Sequence, residues 1–188
     1  MTRLLLVRHA RPTENWDAAP DAGLDARGRE QAGALVGTLG AAAPVPVLTS
    51  PLRRARETAA PLAVHWGTEP HVLPAVGEIT APHVDPDERV GWLRSVLAGT
   101  WADVDDRLTA WRAALLEALG SIDRDSVVFS HFVAINTAVG AATDDDRVMC
   151  FAPAHASVTE LAVDGGALRL VTRGIESDAP MPHTGGVA

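Results

Sequence analysis

The chain alternates between short unbroken apolar runs and longer stretches in which apolar residues recur every three or four positions. Leu4 to Val7 lie unbroken between Arg3 and Arg8, and Ser126-Val-Val-Phe-Ser130 repeats the pattern late in the chain. Runs of this length predict strands covered on both faces, as in a parallel sheet. Val45-Pro-Val-Leu-Thr-Ser50 predicts a further short strand. Between Asp25 and Leu39 the apolar residues fall at Ala32, Leu35, Val36 and Leu39. That is helical spacing, with Asp25 as the candidate N-cap. Pro51 suits the first turn of a second helix through Arg54, Ala55, Thr58 and Leu62. Another helix is expected through Ile135 and Val139. Val158–Val163 and Ala167–Thr172 flank Asp164-Gly165-Gly166, a hairpin signal.

Strand, helix, strand, helix is the order of an α/β fold. The reading is a single domain over residues 1–188 with a mostly parallel central sheet flanked by helices. From about residue 74 to 120 the pattern changes. Acidic and turn residues surround Trp92, Leu93, Val96, Leu97, Trp101, Leu108, Trp111, Leu115 and Leu116 at helical spacing, which predicts a small helical insertion. The four tryptophans from Trp66 to Trp111 are read as its packing anchors. The tail, residues 175–188, is rich in Gly, Pro and small residues and is expected to be flexible.

Charge narrows the partners. A net charge of −8 disfavours nucleic acid and anionic membranes, and no apolar run approaches the length of a membrane span. The short apolar run near the N-terminus and the single Cys150 lead to an expectation of the cytoplasm. All 16 basic residues are arginine, so an anion site here must be made of guanidinium forks, backbone amides or histidine.

Candidate chemistry gathers at the ends of the expected strands. Arg8-His9 ends the first, Thr49-Ser50-Pro51-Leu52-Arg53-Arg54-Ala55 follows the second, and Ser130-His131 ends the strand near Val128. In open α/β sheets ligands bind outside the carboxyl ends of the strands, so two histidines and at least two arginines are expected on one rim. His65, His71, His83 and His183 lack ligand-like spacing, and neither a metal site nor a cofactor is expected. His155, in Pro153-Ala-His-Ala-Ser157, is open between a structural role and a contact with substrate.

These motifs resemble the histidine phosphatase superfamily, which includes cofactor-dependent phosphoglycerate mutases and many phosphatases. The matching segments are Leu6-Val-Arg-His-Ala-Arg-Pro-Thr-Glu-Asn15, Leu24-Asp-Ala-Arg-Gly-Arg-Glu-Gln-Ala32, Ser50-Pro-Leu-Arg-Arg-Ala-Arg-Glu-Thr58, Glu78 and Val128-Phe-Ser-His131. The resemblance implies that His9 is a nucleophile and that Arg8, Arg54 and His131 bind the transferring phosphoryl group. It also implies that Asn15 assists and that Glu78 is the proton donor. The chemistry suits these residue types: a neutral imidazole can attack phosphorus without a metal, and arginine meets phosphoryl oxygens bidentately.

The chain departs from the family pattern at four places. Ala10 follows the first histidine and Phe132 the second, where glycine is common in both; Pro12 replaces a polar residue; and Glu78-Ile-Thr-Ala-Pro82 lacks a Gly-Trp-Glu-Gly-like sequence. Phe132 fits either a wall of the pocket or a residue of the core. The expected activity is hydrolysis of a small-molecule phosphate ester through phosphohistidine. A phosphoglycerate mutase-type phosphotransferase and a non-catalytic phosphoester-binding protein are the alternatives. Substrate and oligomeric state are left open.

Overall fold

The computed structural model describes residues 1–14, 21–81 and 83–177. Strand β1 (Thr2–Arg8) is followed by helix α1 (Ala26–Leu39), strand β2 (Val47–Thr49), helix α2 (Arg53–Trp66) and the two-residue strand β3 (His71–Val72). Helices α3 (Arg89–Ala98) and α4 (Asp106–Gly120) precede strand β4 (Ser126–Ser130), helix α5 (Phe132–Thr143) and the hairpin of β5 (Val158–Asp164) and β6 (Ala167–Thr172). The sheet order is β3-β2-β4-β1-β5-β6. β1, β2, β3 and β4 are parallel, while β5 and β6 add antiparallel strands at one side. No helix among the described residues is long and apolar enough to cross a membrane.

The unbroken apolar runs feed two cores. In β4 all five residues are buried. Val127 and Phe129 face α1 and α2 with Val7, Leu35 and Leu62, while Val128 faces α4 and α5 with Leu4, Leu6, Leu115 and Ile135. Alternation across the pleat thus covers both faces, which is why neither strand shows polar residues at every second position. At roughly 25 cal/mol per Å² of apolar surface, this two-sided burial is the main stabilising term for the central strands.

Local signals explain the helix ends. Asp25 caps α1, its carboxylate accepting from Gly28 N at 2.6 Å. Helix α2 starts later than Pro51 suggests: Leu52 is its N-cap, because the Ser50 hydroxyl accepts from Leu52 N at 3.2 Å and holds Leu52 extended. The β5–β6 turn places Gly165 at φ 58° and Gly166 at φ 87°, left-handed positions that suit a tight hairpin.

Between β3 and β4, Trp101 and Trp111 stack with centroids 6.1 Å apart, and Trp92 packs in the same cluster. Trp66 does not anchor this region. It ends α2 and packs with Leu5 and Val45 under the other face of the sheet. Ile175 O accepts from Ala154 N and Ser177 N donates to Ala152 O, both at 2.8 Å, while residues 178–188 lie outside the described residues.

Candidate active site

Strand register sets the geometry of the site. Arg8 lies opposite Ser130 and Thr49 opposite Phe129, so His9, His131 and Ser50 each come one residue past the end of adjacent strands. The ladder continues that far: His9 N donates to Ser130 O and Ser50 N to Phe129 O, both at 2.9 Å. The His9 and His131 rings sit with centroids 5.1 Å apart. Arg54, on the first turn of α2, is 4% exposed and donates Nε–H to His9 Nε2 at 3.3 Å.

The turn after His9 is fixed from two sides. Thr58 Oγ1 accepts from Ala10 N at 2.9 Å and donates to Arg54 O at 2.6 Å, joining the turn to the helix that carries Arg54. On the other side α1 comes so close that a Cβ on Gly28 would lie 2.0 Å from Arg11 O. Only glycine allows that approach.

Hydrogen bonds assign the tautomer of His9. Its Nδ1 lies 2.8 Å from Ala10 O, which can only accept, so Nδ1 carries the proton. Nε2 then presents a lone pair beside Arg54 Nε–H. Burial, with the charges of His131, Arg8 and Arg54 adding to it, holds the His9 imidazole well below the ordinary histidine range. The ring is therefore neutral near pH 7, the form a nucleophilic imidazole requires.

His131 is fully buried, and its Nε2 lies 2.7 Å from Ser50 Oγ. Ser50 Oγ already accepts from Leu52 N. With the Ser50 hydroxyl donating to His131 Nε2, the proton lies on His131 Nδ1, a buried atom with no partner among the described residues. Burial first, then Arg54 and Arg8, depresses the His131 basicity as well.

Glu78 follows the 3₁₀ turn Pro74–Val76, which is tied to the sheet by Ser130 Oγ donating to Val76 O at 2.7 Å. Its carboxyl accepts from Ile79 N and from Val133 N in the first turn of α5, both at 3.1 Å. Burial raises its pKa above the ordinary glutamate value despite those bonds and the opposing charges of Arg54 and Arg8. A glutamate held this way keeps its proton to higher pH than a solvated one, as a general acid needs.

Arg8 donates Nη1–H to Pro153 O at 2.6 Å, and its Nη2 lies 3.2 Å from His155 Nε2. The Phe132 ring lies on the guanidinium with its centroid 5.0 Å from Cζ and also packs against the Trp101 cluster. Burial, with Arg54 adding and Glu78 opposing, lowers the Arg8 pKa to about 10, so it remains a cation. Arg53 turns outward to pair with Glu57 at 2.6 Å. The structure thus gathers Arg8, His9, Arg54, Glu78 and His131, while Asn15 lies outside the described residues. It adds Ser50 and Thr58, whose hydrogen bonds leave no mark in spacing or hydropathy, and it brings His155, left open by the sequence, against Arg8. No group of three His, Cys, Asp or Glu side chains among the described residues could hold a metal ion.

The family model for the histidine phosphatase superfamily (branch 1) matches residues 4–176. A comparison with curated proteins gives no significant match. Among solved structures, a phosphoserine phosphatase from Entamoeba histolytica in complex with 3-phosphoglyceric acid superposes with a TM-score of 0.74 at 20% identity, covering 93% of this chain and 98% of its own. A mycobacterial glucosyl-3-phosphoglycerate phosphatase complexed with VO3 gives 0.68 at 22% identity, covering 94% and 100%. A phosphoglycerate mutase from Thermus thermophilus gives 0.62 at 23%, also covering 94% and 100%. At these identities the likeness shows the shared fold.

Proposed function

As the chain belongs to the histidine phosphatase superfamily (branch 1), we propose that it hydrolyses small phosphomonoesters through a phosphohistidine formed on His9. The observation that carries this reading is the presentation of His9. Nδ1–H is tied to Ala10 O, which puts the ring's lone pair on Nε2, where it accepts from Arg54 Nε–H.

His9 Nε2 attacks phosphorus while the bond to the leaving oxygen breaks. Arg8, Arg54 and the Nδ1–H of His131 meet the non-bridging oxygens, where charge must be held in the transition state. The resemblance adds Asn15 to that set. The Glu78 carboxyl gives its proton to the departing alkoxide. Water then attacks the phosphohistidine, Glu78 takes back a proton, and inorganic phosphate leaves with His9 neutral again. The arginines supply the charge that a divalent cation supplies in other phosphoryl-transfer sites, and His131 adds a neutral N–H donor.

Hydrolysis is favoured over mutase-type transfer by the pairing of nearby cations. Arg11 is matched with Asp25 at 2.9 Å and Arg53 with Glu57 at 2.6 Å, which leaves less positive charge for a second anionic end of a bisphosphate. One cysteine, Cys150, permits no intramolecular disulfide, and a reducing compartment such as the cytoplasm fits that.

Phosphate release from an aryl phosphate at neutral pH, measured with excess chelator, tests the proposal. Turnover is expected to persist. Complete loss on chelation, restored by a divalent metal, would contradict it. Ser50→Ala provides a second test, since without the hydroxyl nothing holds the His131 proton on Nδ1. It is expected to lower kcat/KM by about 10–10²-fold with the fold retained, read by steady-state kinetics beside a thermal melt.

A further inference from the structure

The environment of Arg8 assigns a role to His155. A guanidinium has only donors. At the 3.2 Å contact with Arg8 Nη2, His155 Nε2 must therefore accept, which puts the His155 proton on Nδ1 and makes the ring neutral. The second η nitrogen is held by Pro153 O at 2.6 Å, so one short segment grips both branches of the fork. The same segment holds the Arg8 backbone: Arg8 N donates to Ser157 O at 3.1 Å and Ala156 N to Arg8 O at 3.0 Å. Phe132 covers the guanidinium, and Arg8 Nε is buried with no partner among the described residues.

The backbone beside His155 is strained to achieve this. Ala156 has φ 58°, the left-handed region that a residue with a Cβ seldom enters. Such strain persists only where surrounding contacts over-determine it, and it clusters at functional sites. Here the contacts are those to Arg8 and a turn bond from Ser157 N to Ala154 O at 3.1 Å. The His155 ring lies with its centroid 5.6 Å from that of His9, at the rim of the proposed phosphoryl site.

We propose that His155 is a positioning residue that fixes the Arg8 guanidinium for the transferring phosphoryl group through its Nε2 lone pair. This rests on the phosphatase reading above and extends it to a residue 146 positions from His9 in the chain. The charged groups facing His155 keep it an acceptor. Burial, then Arg8, Arg11 and Arg27, with Asp25 opposing, lower its pKa to about 4. A protonated ring would lose the lone pair and repel Arg8.

The test uses His155→Leu and His155→Gln, each in the wild-type chain and with Arg8→Lys, in aryl phosphate turnover and inhibition by inorganic phosphate. His155→Leu is expected to cost about 10–10²-fold in kcat/KM and to weaken inhibition by phosphate. Glutamine, whose side-chain oxygen can replace Nε2 as acceptor, should restore most of the loss. With Arg8→Lys there is no fork to orient, and His155→Leu should then cost little more. Unchanged kinetics in His155→Leu, no rescue by glutamine, or an equal cost in the Arg8→Lys background would overturn the assignment. Nitrogen-15 spectra of the imidazoles read the tautomer without turnover: Nδ1–H at His155 is expected, and Nε2–H would overturn the proposal. If the phosphatase reading itself is wrong, the wild-type chain releases no phosphate, whereas failure of this assignment alone leaves it active.

Discussion

Replacing His9 with alanine is expected to reduce phosphate release by at least about 10⁴-fold while leaving the fold intact, because the lost atom forms the first bond of the reaction. The expectation follows from the geometry around the ring. Ala10 O fixes the proton on Nδ1, and Arg54 stands against the lone pair of Nε2. With methyl in place of imidazole, Arg8, Arg54 and His131 can still gather phosphate but have no nucleophile to align. Inhibition by inorganic phosphate should therefore survive in His9→Ala while turnover does not. Steady-state assays and a thermal melt read both. Near-normal turnover in this variant would remove His9 from the chemistry.

Glu78→Gln is expected to show a loss that depends on the leaving group. An alkyl alkoxide is a poor leaving group without a proton, so the cost should be on the order of 10²–10⁴-fold with an alkyl phosphate. A nitrophenolate needs little protonation, and the loss with its ester should be much smaller. Burial raises the Glu78 pKa, so its acid form lasts to higher pH than that of an ordinary glutamate and is lost as pH rises through the raised value. Wild-type turnover of the alkyl ester should fall along that limb, and the aryl ester should show little of it. Equal losses for the two esters would reduce Glu78 to a binding or structural role and direct attention to Asp85, Asp87 and Glu88.

The elements most legible in the sequence are those whose burial is complete. Leu4 to Val7 in β1 and Val127 to Phe129 in β4 are unbroken apolar runs because helices cover both faces of these strands, and this pattern carries directly to a parallel interior strand. β3 carries no such signal. It is His71 and Val72 at the sheet edge, both exposed, joined to β2 by backbone pairing that any residue could make. The start of α2 is also hidden, since Pro51 fits a first helical turn and only the Ser50 hydroxyl, by bonding to Leu52 N, delays it. Trp66 illustrates the same limit: hydropathy marks it as apolar but cannot say which of two cores receives it.

The candidate site divides in a similar way. Arg8, His9 and His131 stand at strand ends, where an α/β sheet exposes ligand-binding residues, and Arg54 follows the second strand at the start of a helix. Ser50 and Thr58 act through hydroxyl bonds, which need distances that a sequence does not carry. His155 reaches Arg8 only because β5 pairs antiparallel with β1, with Val7 opposite Val158, folding the preceding loop over the strand end. Phe132 packs into the Trp101 cluster, as the core reading expects, and its ring also lies on Arg8.

Rapid quenching of the wild-type chain during turnover of a phosphorus-labelled aryl phosphate reads whether the phosphoryl group passes through His9. A label stable to alkali and labile to acid is expected on Nε2 of His9, and none is expected in His9→Ala. Turnover with no label on His9 under conditions where phosphohistidine survives, or an equal label in His9→Ala, would contradict passage through His9.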